Sequence, residues 1–280
     1  MRIITDSAAD FTNEELRAHR IDCVRTQVLL GGNTYTPGVD LSDEEFWNRL
    51  LAGEDARTSQ PSPQTYLSAF EQADQADEDA LCICISSVLS GTMQSALLAA
   101  SMHGSKRIHV MDSLNGAAGQ KLLVLHACRL RDEGKLAAQE IIRQLEQLRS
   151  RIRLLAGVDT LENLGRSGRI PRAVASLGNV ARLKPLLEVS PDGRIVLCGK
   201  ALGRRRAIDQ LARRIASFRI DERYPVIPFF SHTSENCAAL LEKLRNLGVR
   251  ADETLLTAIG TAIAPHIGPG AYGVSFVEAE

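Results

Sequence analysis

The sequence predicts an α/β protein of two domains, and three observations support this fold class. Apolar strand-like runs alternate with helical patterns through residues 1–152. In the second half the turn Pro191-Asp192-Gly193 joins two strand candidates as a hairpin. An apolar fraction of 44% over 280 residues supplies enough side chains for two cores. We therefore expect an N-terminal α/β domain over residues 1–152 and a C-terminal α/β domain over residues 153–280.

In the N-terminal domain, runs of apolar and β-branched residues indicate strands, and capping residues indicate where helices begin. Strands separated by helices form βαβ units, so we expect three α/β/α layers with a parallel sheet between helices. The predicted strands are residues 2–5, 23–30, 81–85 and 107–112; helices are predicted after the capping boxes Thr12/Glu15 and Ser42/Glu45, after Ser62-Pro63, after Gly91, and over residues 119–131 and 137–151.

In the C-terminal domain the pattern changes, because the predicted hairpin makes its two strands antiparallel. We therefore expect a mixed sheet covered by helices in a two-layer α/β arrangement. The predicted strands are residues 154–158, 186–190, 194–198, 226–230 and 271–277, and the predicted helices are residues 160–164, 206–218 and 235–247.

Charge and cysteine content argue against several classes of protein. With 33 basic and 34 acidic residues the formal charge is −1, so no overall field attracts nucleic acid or anionic membranes. The six cysteines form no CxxC pair and none lies near a histidine at zinc-ligand spacing, so we predict buried thiols and no metal. No apolar run reaches the roughly 18 residues of a membrane span, and the first residues have no signal-like apolar segment. We expect a cytoplasmic protein without stable membrane insertion.

The segment Ser90-Gly91-Thr92 follows a buried strand and precedes a helix. In open α/β sheets ligands bind where strands lead into helices, and the hydroxyls and amides of a helix N-terminus suit a carboxylate or phosphate. An ordinary helix cap is the alternative, since N-caps favour the same residues. The residues alone leave both interpretations open.

Two further segments are rich in hydroxyls, proline or glycine. Residues 58–63 (TSQPSP) begin with Thr58 and contain two prolines, which predict either a rigid loop that holds a hydroxyl or simply the entry to a helix. His266 precedes Gly-Pro-Gly, a backbone that can approach a ligand closely, although a lone histidine is also compatible with a structural role.

Three basic residues are candidates for a partner-facing or head-group surface. Arg169 lies in a glycine-rich turn, and Arg204 and Arg205 lie in the basic stretch of residues 200–206 before a helix. A solvated surface is one interpretation, and contact with an acidic partner or a phosphorylated ligand is the other. Because the net charge is close to zero, we favour a protein partner over nucleic acid.

Two motif-like patterns do not support a nucleotide site. Gly268, Gly270 and Gly273 have dinucleotide-fingerprint spacing, but Pro269 interrupts it and a strand follows where the fingerprint needs a helix. Residues 193–200 resemble a phosphate-binding loop with one residue too many and with alanine where serine or threonine is required. We predict no cofactor.

Taken together in chain order, the segments resemble the DegV family of fatty-acid-binding proteins, and the resemblance covers nearly the whole chain. Two departures touch the basic surface: Leu202 stands where the family usually has arginine, and residues 164–168 (LGRSG) replace a lysine and a double glycine. The matching segments are residues 4–7 (ITDS), 58–63 (TSQPSP), 89–92 (LSGT), 111–113 (MDS), 159–161 (DTL), 168–170 (GRI), 184–187 (KPLL) and 266–270 (HIGPG).

The resemblance implies two α/β domains with a long-chain fatty acid held between or within them. It implies a non-catalytic binding subunit of the bacterial fatty acid kinase type, which presents its lipid to a separate kinase that phosphorylates the carboxylate for phospholipid synthesis. It further implies that Thr58 and Ser90 hold the carboxylate, with the neighbouring Gly91 and Thr92 and with His266 close by. Arg169 would lie near the head group or the partner surface.

Two alternatives belong to other functional classes. An acyl-ester hydrolase could be built from Ser90, His266 and Asp6, although the sequence has no nucleophile-elbow motif. A lipid sensor would keep the pocket but would not pass its ligand to a kinase. Turnover of an acyl ester distinguishes the first alternative from a carrier, and phosphorylation of the bound lipid distinguishes the second.

Overall fold

The structure is a computed structural model that describes residues 1–175 and 182–280. The chain forms two compact units, Met1–Ser150 and Arg151–Glu280. The strands of the first unit are β1 Arg2–Asp6, β2 Ile21–Val24, β3 Gln27–Leu30, β4 Asn33–Tyr35, β5 Ala56–Ser59, β6 Ala80–Cys84 and β7 Ile108–Asp112. Its helices are α1 Asn13–His19, α2 Asp43–Leu51, α3 Pro63–Gln75, α4 Thr92–His103, α5 Ala117–Glu133 and α6 Ala138–Arg149.

The main sheet of the first unit is parallel, with strand order β2-β1-β6-β7. Every residue of β6 is buried. Cys82 and Cys84 pack on one face with side chains of α3 and α4, such as Tyr66 and Phe70, whereas α5 contacts β1 and β6. A strand covered on both faces needs a continuous apolar run, as residues 80–84 provide. The predicted three-layer α/β/α arrangement is confirmed.

The prediction of one strand over residues 23–30 is wrong, because the chain changes sheet in the middle of that run. β2 pairs in the parallel sheet, and β3 pairs in a small antiparallel sheet of order β4-β3-β5. Between the two strands the amide of Thr26 donates to the Ser7 hydroxyl at 2.9 Å, and Arg25 donates to the Pro37 carbonyl at 3.1 Å. These long-range bonds turn the chain where no glycine or proline marks the break.

The predicted helix caps of the first unit are observed at all three positions, with one correction. Thr12 makes a reciprocal capping box with Glu15, and the Ser62 hydroxyl accepts from the third amide of α3. At Ser42 only half of the box forms, because the carboxylate of Glu45 pairs with Arg49 at 3.4 Å instead of turning back to the cap.

The second unit contains a mixed sheet of order β10-β9-β8-β13-β11-β12, in which β11 and β12 are parallel and the other pairs antiparallel. Its strands are β8 Ile152–Gly157, β9 Leu183–Val189, β10 Ile195–Leu202, β11 Ile227–Phe230, β12 Thr257–Ala258 and β13 Tyr272–Val277. Its helices are α7 Glu162–Arg166, α8 Arg172–Ala175, α9 Arg204–Ala216, α10 Glu235–Asn246 and α11 Ala264–Ile267.

The turn predicted at residues 191–193 joins β9 to β10, and Gly193 adopts a φ of 81°, which glycine accommodates without a side-chain clash. Helices α9 and α10 supply side chains such as Leu211 and Leu240 to one core together with Phe276 of β13. The predicted mixed sheet with its helical layer is therefore confirmed. Within the two described ranges, no helix combines the length and apolar character that a membrane crossing requires.

Candidate functional site

The loop that carries Ser90 connects β6 to α4, and two carboxylates at neighbouring strand ends hold it. Asp6, the last residue of β1, accepts a hydrogen bond from the Ile85 amide at 2.8 Å. Asp112, the last residue of β7, accepts from the Ser87 amide at 3.2 Å and from the Leu114 amide at 2.8 Å. Parallel strands end at the same edge of the sheet, which is why residues distant in sequence meet here.

Asp6 is buried, with 1% of its surface exposed. Burial raises its pKa to about 6, and hydrogen bonds from the Ile85 and Ala8 amides and from the Gln120 side chain partly oppose the rise. Its acceptor atoms are thus used on backbone and amide groups that shape the loop. This arrangement differs from the hydrolase hypothesis, in which Asp6 would orient a histidine.

Ser90 is partly exposed, whereas Thr92 is 1% exposed. Their hydroxyl oxygens lie 2.8 Å apart, and the Thr92 amide donates to the Ser90 hydroxyl oxygen at 3.3 Å. The N-cap residue of α4 is Gly91, which has no side chain to cap the helix. The helix-cap alternative is met in part. The N-cap residue is Gly91, but the Ser90 hydroxyl, one position earlier, accepts from the first amide of the 12-residue helix as a capping side chain does.

Thr58 is half-buried and lies on β5, where it pairs with Val28 of β3. The expectation that Thr58 belongs to a proline-stiffened loop is wrong, because strand pairing orients this residue and the loop begins only after Ser59. The alternative of a helix entry applies to the end of the segment, where Ser62 caps α3 and Pro63 is its first residue.

Sequence reasoning missed Gln60, which connects the two hydroxyl segments of the first unit. Its side-chain amide donates to the Ser95 hydroxyl in α4 at 3.0 Å, and its amide oxygen lies against Gly91. The pattern TSQPSP contains Gln60, but nothing local in the sequence shows that its side chain reaches a helix more than thirty positions away.

In the second unit His266 lies in the short helix α11, not in an extended glycine loop as its sequence context suggests. Burial and, to a smaller extent, the positive charge of Arg169 lower its pKa to about 4. The imidazole is therefore neutral near pH 7 and can donate a hydrogen bond without carrying a fixed charge. The structure thus brings His266 and Arg169, which are far apart in sequence, within electrostatic reach of each other.

The glycines after His266 allow close packing. Gly268 and Gly270 have φ values of 74° and 79°, and a side chain on Gly268 would meet the amide of Asn163 at 2.3 Å. Ser231 fixes this turn, because its hydroxyl donates to the Gly268 carbonyl at 2.7 Å and accepts from the Ala271 amide at 2.8 Å. The segment after α11 is therefore held rigidly.

The candidate basic residues occupy different environments within the second unit. Arg204 pairs with Asp159 at 3.2 Å, and Lys184 pairs with the same carboxylate at 2.7 Å. Arg205 is exposed. Arg169 is half-buried and donates to the Ser167 carbonyl at 2.6 Å, and burial lowers the pKa of its guanidinium. Among the three, Arg205 is the most available to a partner.

The described part of the chain contains no candidate metal site. Across residues 1–175 and 182–280 no cluster of three or more histidine, cysteine, aspartate or glutamate side chains could hold a metal ion. The six thiols are free and at least partly buried, and burial raises the pKa of Cys23 and Cys237 to about 12. These two thiols are therefore poor nucleophiles near neutral pH.

Several solved structures share this fold. A fatty-acid-binding DegV family protein from Thermus thermophilus has a TM-score of 0.88 and 31% identity, and each chain is covered completely. A stearic-acid-binding protein from Eubacterium ventriosum has a TM-score of 0.89 and 25% identity, with 99% of this chain and 98% of that chain covered. The Fatty Acid Kinase (Fak) B3 protein of Streptococcus pneumoniae, loaded with linoleic acid, has a TM-score of 0.85 with 99% of each chain covered; its 20% identity shows the fold alone.

Sequence comparison identifies the same family. A DegV domain-containing protein of Deinococcus radiodurans is 35% identical over 278 residues, which are 98% of this chain and 96% of the relative. The DegV domain-containing protein YteA of Lactococcus lactis is 32% identical over 279 residues, with 98% and 96% covered. The family profile described as "Uncharacterised protein, DegV family" matches residues 1–279. The resemblance noted in the sequence is confirmed, and the chain belongs to the DegV family.

Proposed function

We propose that this protein is a carrier that binds a long-chain fatty acid and holds its carboxylate on the hydroxyls of Thr58 and Ser90. The observation that carries the proposal is the Ser90–Thr92 turn. It places a partly exposed hydroxyl at the start of α4, whose cap is a glycine. Amides at a helix N-terminus lack intrahelical partners and favour an anion. Fatty acid binding by the relatives from T. thermophilus and E. ventriosum supports the same ligand class.

The head group and the acyl chain contribute differently to binding. Burial of about sixteen carbons at roughly 0.8 kcal/mol per methylene supplies around ten kcal/mol before association costs. Hydrogen bonds to a carboxylate contribute roughly 1.5–3 kcal/mol each. The chain therefore supplies most of the affinity, and the hydroxyls select a carboxylate over an alcohol or an ester.

We propose, following the family resemblance, that His266 donates a hydrogen bond to the head group as a neutral imidazole. Hydroxyls and a neutral imidazole hold a carboxylate by hydrogen bonds and not by an ion pair. A carboxylate that is not paired with a cation retains its nucleophilicity. One of its oxygens can then attack the γ-phosphorus of ATP on a separate kinase, and the bond to ADP breaks as the acyl phosphate forms.

We further propose that the protein presents its bound fatty acid to a separate kinase. The support for this role is the family resemblance, the name of the Streptococcus fold neighbour and the basic residues Arg204 and Arg205, which are exposed, and Arg169, which is half-buried. In this role the protein performs no chemistry itself. It holds the lipid during phosphoryl transfer and releases an acyl phosphate.

The first test compares fatty acid binding by Ser90→Ala and Thr58→Ala with that of the wild-type protein. Loss of one hydrogen bond to a carboxylate should weaken palmitate binding roughly 10- to 100-fold in each variant. Isothermal titration calorimetry on delipidated protein measures this, and native mass spectrometry of freshly purified protein should show one bound fatty acid.

Ser101→Ala is the matched control, because Ser101 is an exposed serine on the same helix, α4. Its affinity for palmitate should equal that of the wild type. Recovery of lipid-free protein that also fails to bind added palmitate would contradict the proposal. Turnover of a chromogenic acyl ester that is lost in Ser90→Ala would favour the hydrolase alternative instead.

A further inference from the structure

Gln60 reaches across from the Thr58 segment to the N-terminus of α4, although its Cα lies on a surface loop. Its side-chain nitrogen donates to the Ser95 hydroxyl at 3.0 Å. Ser95 is 3% exposed, and its amide donates to the Gly91 carbonyl at 3.2 Å. Gln60 therefore contacts the first turn of α4, which directly follows Ser90 and Gly91.

Gly91 makes room for this contact. A Cβ atom on Gly91 would lie 1.8 Å from the amide oxygen of Gln60 and 2.7 Å from its amide carbon. The backbone at Gly91 has φ −74° and ψ 6°, which any L-residue can adopt. A glycine here leaves the space that the Gln60 amide occupies, and a side chain at this position would displace that amide.

The contact has a consequence for the proposed carboxylate site. Thr58 lies on β5, two positions before Gln60, and Ser90 lies one position before Gly91. The Gln60 amide thus forms a side-chain bridge between the segments that hold the two hydroxyls. A bridge at this point limits how far one hydroxyl can move relative to the other.

We propose that Gln60 is a positioning residue that sets the spacing of the Thr58 and Ser90 hydroxyls, and that Gly91 leaves the space in which the Gln60 amide makes this contact. The inference rests on the proposed function. Because the hydroxyls recognise the carboxylate, a relaxed spacing should lower affinity for a fatty acid and leave affinity for the corresponding alcohol nearly unchanged.

The test is a double-mutant cycle with wild type, Gln60→Ala, Gly91→Ala and the double variant, each titrated with palmitate and with hexadecanol. Loss of the bridge should weaken palmitate binding about tenfold in each single variant. Hexadecanol binding should change less than about twofold. The double variant should be no weaker than Gly91→Ala, since both substitutions remove the same contact.

Gln64→Ala is the matched control, because Gln64 is an exposed glutamine four positions along on α3. It should bind both ligands like the wild type. Circular dichroism monitors folding of every variant. If Gly91→Ala is misfolded, Gln60→Glu tests the positioning role instead. This substitution keeps the side-chain length and replaces the donor nitrogen by a second oxygen. It should lower the affinity for palmitate and leave the affinity for hexadecanol unchanged.

Additive losses in the cycle, equal losses for both ligands, or unchanged palmitate binding by Gln60→Ala and Gln60→Glu would each overturn the positioning role. These outcomes differ from failure of the proposed function, in which the wild-type protein itself would not bind palmitate. If the wild type and the Gln60 variants bind palmitate equally well, the carrier function is supported and only the positioning role of Gln60 is contradicted.

Discussion

At the scale of single residues, Asp6 is a buried acid whose hydrogen bonds order the loop that leads to Ser90. Its carboxylate accepts hydrogen bonds from the amides of Ala8 and Ile85 and from Gln120. Burial nevertheless dominates and raises its pKa from 3.8 to about 6. The shape of the loop before Ser90 is therefore coupled to the ionisation of one carboxyl group.

Asp6→Asn should change how the free energy of unfolding depends on pH. The folded protein binds the Asp6 proton more tightly than the unfolded chain, so this residue's contribution is fully present below about pH 3.8 and is lost as pH rises through about 6. The wild type should therefore lose stability relative to Asp6→Asn over that window, and the difference should be constant above it. Urea unfolding at several pH values measures the slope.

His126 is the reason why the wild type must be compared with Asp6→Asn and its pH dependence not interpreted alone. Burial lowers its pKa from 6.5 to about 4, so its contribution has the opposite sign and is lost as pH falls through that range. Both proteins contain His126, so its contribution is absent from the difference between their free energies of unfolding. Asp74→Asn, at an exposed position, controls for removal of a charge, and an equal slope in that variant would contradict the assignment to Asp6.

At the scale of elements, the loop of residues 85–91 is ordered both by carboxylates of neighbouring strands and by hydrogen bonds of its own. Asp6 holds its beginning, and Asp112 holds Ser87. Within the loop, the Ser86 carbonyl accepts from the amides of Leu89 and Ser90. The two carboxylates come from strands on either side of β6, so this geometry requires the assembled sheet.

Asp112→Ala should loosen the loop while leaving the sheet intact. It removes the acceptor of the Ser87 and Leu114 amides, and hydrogen bonds to charged groups contribute roughly 1.5–3 kcal/mol each. Hydrogen exchange at these two amides should become faster, and palmitate binding should weaken. Asp112→Asn keeps one side-chain oxygen and should restore most of the protection; slow exchange in Asp112→Ala would show that other contacts order the loop.

At the scale of the whole molecule, the formal charge is only −1, but positive charge is concentrated in one segment of the chain. Three consecutive arginines, Arg204, Arg205 and Arg206, open α9 in the second unit, and all three are exposed. Arg204 is partly neutralised by Asp159. The remaining charge suits an acidic surface on a partner, which would accelerate association in a salt-dependent way.

Arg205→Glu should reduce kinase-dependent formation of acyl phosphate without weakening palmitate binding, because the substitution changes the proposed docking surface and not the hydroxyl site. Phosphoryl transfer assays with a purified fatty acid kinase subunit, Mg²⁺-ATP and palmitate-loaded protein measure the first effect. The loss should be larger at low ionic strength. Arg213→Glu places the same charge change near the end of α9 and should have less effect; equal losses would argue against a localised surface.

Much of the architecture follows from local pattern. The alternation of strands and helices, the Thr12/Glu15 box, the Ser62-Pro63 helix start and the hairpin at residues 191–193 were all predictable, because periodicity, capping and turn chemistry act over a few residues. The order of the short segments from residue 4 to residue 270 was sufficient to indicate the DegV family. The roles of Thr58, Ser90 and His266 remain predictions that the binding experiments test.

The tertiary structure decided how the segment of residues 85–92 is held, and the proposed anion site at the Ser90 hydroxyl depends on that support. Sequence suggested Ser90, but it could not show that Gly91 is the N-cap residue or that Thr92 lies buried behind Ser90. Nor could it show that Gln60 fills the space above Gly91. Capping and periodicity depend on neighbours in the chain, whereas the Gln60 contact joins residues more than thirty positions apart, and the Asp6 and Asp112 contacts need the ends of β1, β6 and β7 side by side.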